Sequence, residues 1–157
     1  MTYFEELEIG DHEVLGRHTF TEAEMIAFAK LYDPQPFHVD EAAAAASPFG
    51  GLVASGWHTA CVWMGLFVRA AAVDGLPPDH PAVLSPVGVG FGMTELKWLA
   101  PVRAGDTLTF FTEVLDARPS GSRPGWTIFH RRNSAQREDG TEVLTFEIKH
   151  MAPAALL

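Results

Sequence analysis

One apolar run limits what this chain can fold into. Across residues 56–73 the clearly polar side chains are His58, Thr59 and Arg69, while Trp57, Val62, Trp63, Met64, Leu66, Phe67 and Val68 lie around the whole circumference of a helix drawn through them. A helix that is apolar all round must be enclosed, by lipid or by a protein core. A membrane span takes about 20 mostly apolar residues, and this run is interrupted near both ends. Segments with the alternation of strands follow it, so the run is expected to be a core helix buried on most sides. Ser55, just before it, is a good N-cap.

The downstream period is two. Leu144, Phe146 and Ile148 alternate with Val143, Thr145, Glu147 and Lys149, which puts apolar groups on one face of a strand. Asp139-Gly140 before it is a strong hairpin signal. Further strands are expected near 88–99, 107–117 and 126–137, separated by Gly105-Asp106 and by residues 119–125, and the proline-rich stretch 75–86 reads as a loop. Upstream, a first strand over 12–20 precedes a helix start. Thr21 and Glu24 have capping-box spacing, and Met25, Phe28, Ala29 and Tyr32 make one apolar stripe. Asp33-Pro34 ends that helix, because proline disfavours helical backbone in the residue before it. Asp40 can cap a short alanine-rich helix over 41–46, stopped by Pro48 and Gly50-Gly51. Helix first and antiparallel strands after is an α+β order. The expectation is a single domain over residues 1–157, with a curved antiparallel sheet wrapped around the long apolar central helix: the hot-dog arrangement.

Composition narrows the partners. Apolar residues at 47% and charged residues at 20% describe an ordinary globular protein. A net charge of −9 argues against a nucleic-acid partner, whose backbone calls for clustered positive charge, but not against a small anion held by a few arginines. The single cysteine, Cys61, allows no intrachain disulfide and fits a reducing compartment. With no base beside it, Cys61 is expected to be buried and inert. The opening residues carry neither a basic region nor an apolar run, so no export signal and no membrane partner are expected, and the location implied is cytoplasmic. No histidine–carboxylate spacing suits a metal, and no glycine-rich nucleotide loop follows a strand, so neither metal nor cofactor is expected.

Two stretches carry candidate chemistry. In Tyr32-Asp33-Pro34-Gln35-Pro36-Phe37-His38 two prolines stiffen the backbone between a carboxylate and an imidazole. Such a pair can address one water or one substrate carbon, and general acid–base catalysis needs that fixed reach. Each residue also has a plain structural reading, Asp before Pro as a turn initiator and His38 as a packed histidine. In Gly51-Leu52-Val53-Ala54-Ser55-Gly56-Trp57-His58 the first amides of the apolar helix lack intrahelical acceptors. With the positive end of the helix dipole, they can hold an oxygen that gains charge. Glycine at 56 lets a ligand approach the backbone; the alternative is an ordinary capped helix start.

Together the two stretches resemble the MaoC-like dehydratase family, which includes the (R)-specific enoyl-CoA hydratases. That family's motif reads Asp-x-Asn-Pro-x-His, followed by a glycine at the start of the central hot-dog helix. Asp33, Pro36 and His38 occupy the motif's positions here, and Gly56 stands at the helix start. Residues 95–108, Glu-Leu-Lys-Trp-Leu-Ala-Pro-Val-Arg-Ala-Gly-Asp-Thr-Leu, look like the family's Phe-x-x-Pro-Val-x-x-Gly-Asp-Thr-Leu strand-turn-strand passage. The similarity runs from about Phe4 to His150. Gln35 departs from the motif's usual asparagine, and its extra methylene bears on whether hydratase activity is preserved.

The resemblance implies a lyase, an enoyl-CoA hydratase of fatty acid metabolism. It would reversibly hydrate a trans-2-enoyl thioester to a 3-hydroxyacyl thioester. Asp33 and His38 would activate water, the Gly56 amide would stabilise the thioester oxygen, and Ser55 and Gln35 would contribute to substrate binding. It also implies an acyl-CoA or related acyl-thioester partner and at least a homodimer. Two rivals share the fold, an acyl-CoA thioesterase and a non-catalytic acyl-binding subunit. The first is disfavoured because residues 56–73 hold no Asp or Glu, Asp74 lying only at the end. Lys97, Arg103, Arg131 and Arg132 are candidates for the phosphates of coenzyme A, with a solvated surface as the default reading. His58 is expected to be a packed, hydrogen-bonded histidine, and Trp57 and Trp63 core residues first and pocket walls second.

Overall fold

The computed structural model describes residues 7–70 and 88–153. Among these residues nine elements follow in chain order: β1 (His12–Thr19), α1 (Glu22–Tyr32), α2 (Pro36–Val39), α3 (Glu41–Ala45), α4 (Gly56–Ala70), β2 (Val89–Trp98), β3 (Thr107–Pro119), β4 (Trp126–Arg137) and β5 (Glu142–Pro153). The strands form one antiparallel sheet in the order β1-β3-β4-β5-β2, leaving β1 and β2 at the edges. Every pair carries a register shift, and such bulges bend a strand and increase its twist. The α+β hot-dog architecture expected from the sequence is the one observed.

Local chemistry explains the elements. The Thr21 hydroxyl accepts a hydrogen bond from the Glu24 N–H and donates one to the Glu24 carboxylate, capping α1. Along β3 the buried residues Leu108, Phe110, Thr112 and Val114 alternate with half-buried ones, as a strand with one covered face requires. The Asp139-Gly140 turn closes β4 onto β5 through bonds from Arg137 N–H to Thr141 O (3.0 Å) and from Gly140 N–H to Arg137 O (3.0 Å).

Helix α4 packs against β1 and β5. Trp63 stacks on Phe67 with centroids 4.9 Å apart and meets Phe146 of β5 edge-on at 4.8 Å. Phe20, Met25, Leu108, Phe110 and Leu144 complete a fully covered core around them. Gly16, at the β1 bulge, is what lets the helix come so near. A Cβ there would lie 2.9 Å from Leu66 Cδ2 of α4, and the backbone φ of 148° already favours glycine. Truncating Trp63 to alanine would cost about 3–5 kcal/mol, the usual range for a large buried aromatic.

Several expectations need correction. The stripe on α1 is buried at Met25 and Ala29 but not at Tyr32, which is 72% exposed, because the helix ends there and the chain turns away. The segment after Pro34 is not all loop: Pro36–Val39 is one helical turn with proline at its first position, where its missing N–H costs nothing. Helix α4 is covered on one side and open on the other, with Trp57, Cys61 and Met64 exposed. Cys61 is therefore exposed rather than buried, and Trp57 is not a core residue. The expected last turn over 71–73 and the loop over 75–86 lie outside the described residues.

Candidate active site

Asp33 caps the C-terminus of α1, its N–H donating to Ala29 O at 2.9 Å. The chain then bends tightly, with Gln35 N–H on Asp33 O (2.8 Å) and His38 N–H on Gln35 O (2.9 Å). This carries His38, on the α2 turn, back toward the aspartate. His38 Nε2 stands 3.3 Å from Asp33 Oδ2, and both side chains are largely buried, 7% and 18% exposed. Phe37 packs edge-on against the His38 ring at 4.5 Å.

An extended segment brings in the second half of the site. Val53 N–H donates to Phe37 O (3.2 Å) and Ala54 N–H to Val102 O (2.8 Å), which pins residues 53–54 between α2 and the passage after β2. Val53 O lies 2.7 Å from His38 Nδ1. A carbonyl only accepts, so Nδ1 donates there, and Nε2 is the ring nitrogen turned toward Asp33. Ser55, fully buried, donates its hydroxyl proton to Asp33 Oδ2 (2.7 Å) and accepts from Trp57 N–H (3.2 Å), so it caps α4 and holds the aspartate at once. Gln35 Nε2 donates to the other oxygen, Asp33 Oδ1, at 2.9 Å.

These contacts set the charge of the carboxyl. Burial works to raise its pKa, but the hydrogen bonds from Gln35 and Ser55 and the neighbouring His38 together outweigh it, and the net shift is below the usual 3.8. Asp33 is thus held as a carboxylate beside His38 Nε2. At 3.3 Å the two groups are in direct contact and can act together on one small molecule.

Asp33, Gln35, His38 and Gly56 line one cavity of about 500 Å³, whose other walls include Phe37, Phe49, Trp57, Trp98, Leu99 and Val143. The structure therefore brings Asp33, Gln35, His38, Ser55 and Gly56 into one neighbourhood. Gly56 opens α4, so its amide has no intrahelical acceptor. Its Cβ side is covered, however. A Cβ built on it would lie 2.4 Å from Cε2 and Nε1 of the Trp98 indole, so the absent side chain makes room for that ring rather than for a ligand.

Other candidates fall elsewhere. His58 is buried, sandwiched by a stacked Phe28 (4.6 Å) and an edge-on Phe20 (5.1 Å), with Nε2 4.0 Å from Glu24 Oε1. Its pKa is lowered, chiefly by burial. Glu24 also bonds His18 Nε2 at 2.5 Å, a cluster that sequence spacing did not disclose because it joins β1, α1 and α4. Arg131 is fully buried, with Nε donating to His150 Nε2 at 3.2 Å, so it is no surface phosphate ligand. Lys97 faces Glu95 at 3.5 Å, and Arg103 Nη2 donates to Phe49 O at 2.5 Å, bracing the cavity wall. Among the described residues no group of three or more His, Cys, Asp or Glu side chains is placed to hold a metal ion, and no helix is long and apolar enough to cross a membrane.

Comparison with known proteins gives the chain a family. Residues 8–124 match the family described as MaoC like domain. The chain is 36% identical over 107 residues to Protein MaoC of Klebsiella aerogenes, covering 68% of this chain and 28% of that protein, so it spans little more than a quarter of that relative's length. To the 3-hydroxybutyryl-CoA dehydratase of Methylorubrum extorquens it is 34% identical over 122 residues, covering 77% of this chain and 69% of the relative. The crystal structure of a MaoC-like dehydratase from Rhodospirillum rubrum superposes with a TM-score of 0.81 at 37% identity, over 100% of this chain and 99% of that one.

Proposed function

The chain belongs to the MaoC-like domain family, and from that membership we propose that it reversibly hydrates a trans-2-enoyl thioester to a 3-hydroxyacyl thioester. The observation that carries the reading is the 3.3 Å approach of His38 Nε2 to Asp33 Oδ2 on the wall of the cavity that Gly56 also lines. In this reading one water is held beside Asp33 and His38. Its oxygen bonds to C3 of the substrate as one O–H bond breaks and the proton passes to His38 Nε2. Electrons move from the C2–C3 double bond toward the thioester oxygen, which gains charge against the Gly56 amide. The enolate-like species then takes that proton at C2 from His38, which returns to its starting state, so that the sum is addition of one water. An oxyanion donor of this kind contributes about 2.7–4 kcal/mol to the transition state.

Gln35 supports the reading despite departing from the motif. Its amide reaches Asp33 Oδ1 at 2.9 Å, which turns Oδ2 toward His38 and Ser55. The same proposal takes an acyl-CoA or related thioester as partner, the cytoplasm as location, one domain over the whole chain, and a homodimer as the working form.

The test is hydration of crotonyl-CoA, followed by loss of the enoyl-thioester absorbance. The parent protein is expected to turn over, and Asp33→Asn and His38→Ala each to lose at least about a hundredfold, the low end of what general acid–base groups contribute. Either variant working like the parent overturns the assignment. Thioester binding without turnover, unchanged in Asp33→Asn, would identify an acyl-binding subunit instead.

A further inference from the structure

We propose that Trp98 sets the size of the acyl group this site accepts, restricting it to short enoyl chains. The inference rests on the hydratase reading and goes on to name the substrate class. Trp98, at the end of β2, lays its indole on the start of α4, so close that a Cβ on Gly56 would meet three of its ring atoms at 2.4–2.5 Å. Trp57, one residue into α4, meets the same ring edge-on, with centroids 5.1 Å apart. Both indoles line the cavity.

With the thioester oxygen at the Gly56 amide and C3 beside Asp33 and His38, the tail runs within the same cavity that the Trp98 ring lines. A volume of about 500 Å³ must then hold the thioester end, the water and the tail together. Ligand cavities of about 300–1,000 Å³ enclose whole small molecules, and a large indole on one wall takes up space a longer tail needs.

The ring can be trimmed without undoing the fold. Trp98 is 46% exposed and outside the buried core cluster, whereas the backbone beside it is anchored. Trp98 pairs with Leu144, and Leu99 N–H donates to Val143 O at 2.9 Å.

The experiment measures kcat/KM for crotonyl-, trans-hex-2-enoyl- and trans-oct-2-enoyl-CoA in the parent, Trp98→Phe and Trp98→Ala. Calorimetric Kd values for butyryl- and octanoyl-CoA are taken on the same three proteins. The parent is expected to favour four carbons over eight by at least about tenfold, and Trp98→Ala to erase that preference, since a single methylene in an apolar pocket is worth tenfold or more. Trp98→Phe should fall between them. A parent that handles eight carbons as well as four, or a preference unchanged in Trp98→Ala in both turnover and binding, overturns the inference. If no protein turns over yet Trp98→Ala gains octanoyl-CoA binding, the hydratase reading falls and the size limit stands. If none of the three binds either acyl-CoA, both fall.

Discussion

His38 and His150 are buried to almost the same degree, 6% and 3% exposed, yet their surroundings give them opposite work. His38 donates from Nδ1 to a backbone carbonyl and turns Nε2 toward a carboxylate, on the wall of a cavity. His150 accepts from Arg131 Nε at 3.2 Å and lies between Phe129, stacked at 5.3 Å, and Phe67, edge-on at 5.6 Å. An arginine never gives up its charge, so it fixes His150 as a neutral acceptor. Burial first and the Arg131 charge second push its pKa down to about 3. Burial therefore does not make a histidine an acid–base group. On the proposed reading, the sign of the neighbouring charge and access for a substrate do.

A crossed pair of substitutions breaks or sharpens this contrast most strongly. His38→Gln removes the basic nitrogen and should cost turnover at least about a hundredfold. His150→Gln keeps an acceptor for Arg131, and kcat/KM for crotonyl-CoA should stay within a few-fold of the parent. Comparable losses in both would mean that the two buried rings are not functionally distinct.

The next effect is on stability. Between pH 6.5 and about 3 the unfolded chain carries a proton on His150 that the folded chain does not. Stability from this group is complete above 6.5 and declines as pH falls through the window, by at most about 1.4 kcal/mol per pH unit. His58, whose pKa burial also lowers, adds to the same slope. Urea unfolding at pH 7, 6 and 5 should show the decline in the parent and a shallower one in His150→Gln. An unchanged slope would remove His150 from the account.

What was legible in the sequence divides along the same line. The α+β order, the central helix and the stiff bend could be read because each rests on local signals: period, caps and prolines. Asp33 and His38 lie five residues apart on one bend, so proximity followed from chain stiffness. Arg131 could not be read as buried, because its cover comes from Phe67 on a helix and Phe129 two residues earlier on its own strand, and its partner His150 sits on the next strand. The exposed face of α4 was missed because the apolar composition of residues 56–73 points inward all round, whereas the sheet covers only one side. Trp98 stood in plain view at the aromatic position of the strand-turn-strand passage. No spacing rule, however, pairs residue 98 with residue 56, and the glycine's true neighbour emerged only from the tertiary structure.

The smallest effect probes how the site keeps Asp33 charged while the sheet keeps His150 neutral. Ser55 gives its only hydroxyl proton to Asp33 Oδ2 and also caps Trp57 N–H. Ser55→Ala removes both bonds, and losing such a cap typically costs about 1 kcal/mol of stability. It also takes away one of the two hydrogen bonds that lower the Asp33 pKa and leaves the burial that raises it. Asp33 should then protonate at a higher pH, and the acid limb of the kcat/KM profile for crotonyl-CoA should move up, with only a few-fold loss on the plateau. Ser55→Thr, which retains a hydroxyl, should keep the limb near its original position. An acid limb that stays put in Ser55→Ala would mean that Gln35 and His38 alone hold the carboxylate, and that the buried hydroxyl serves the helix rather than the chemistry.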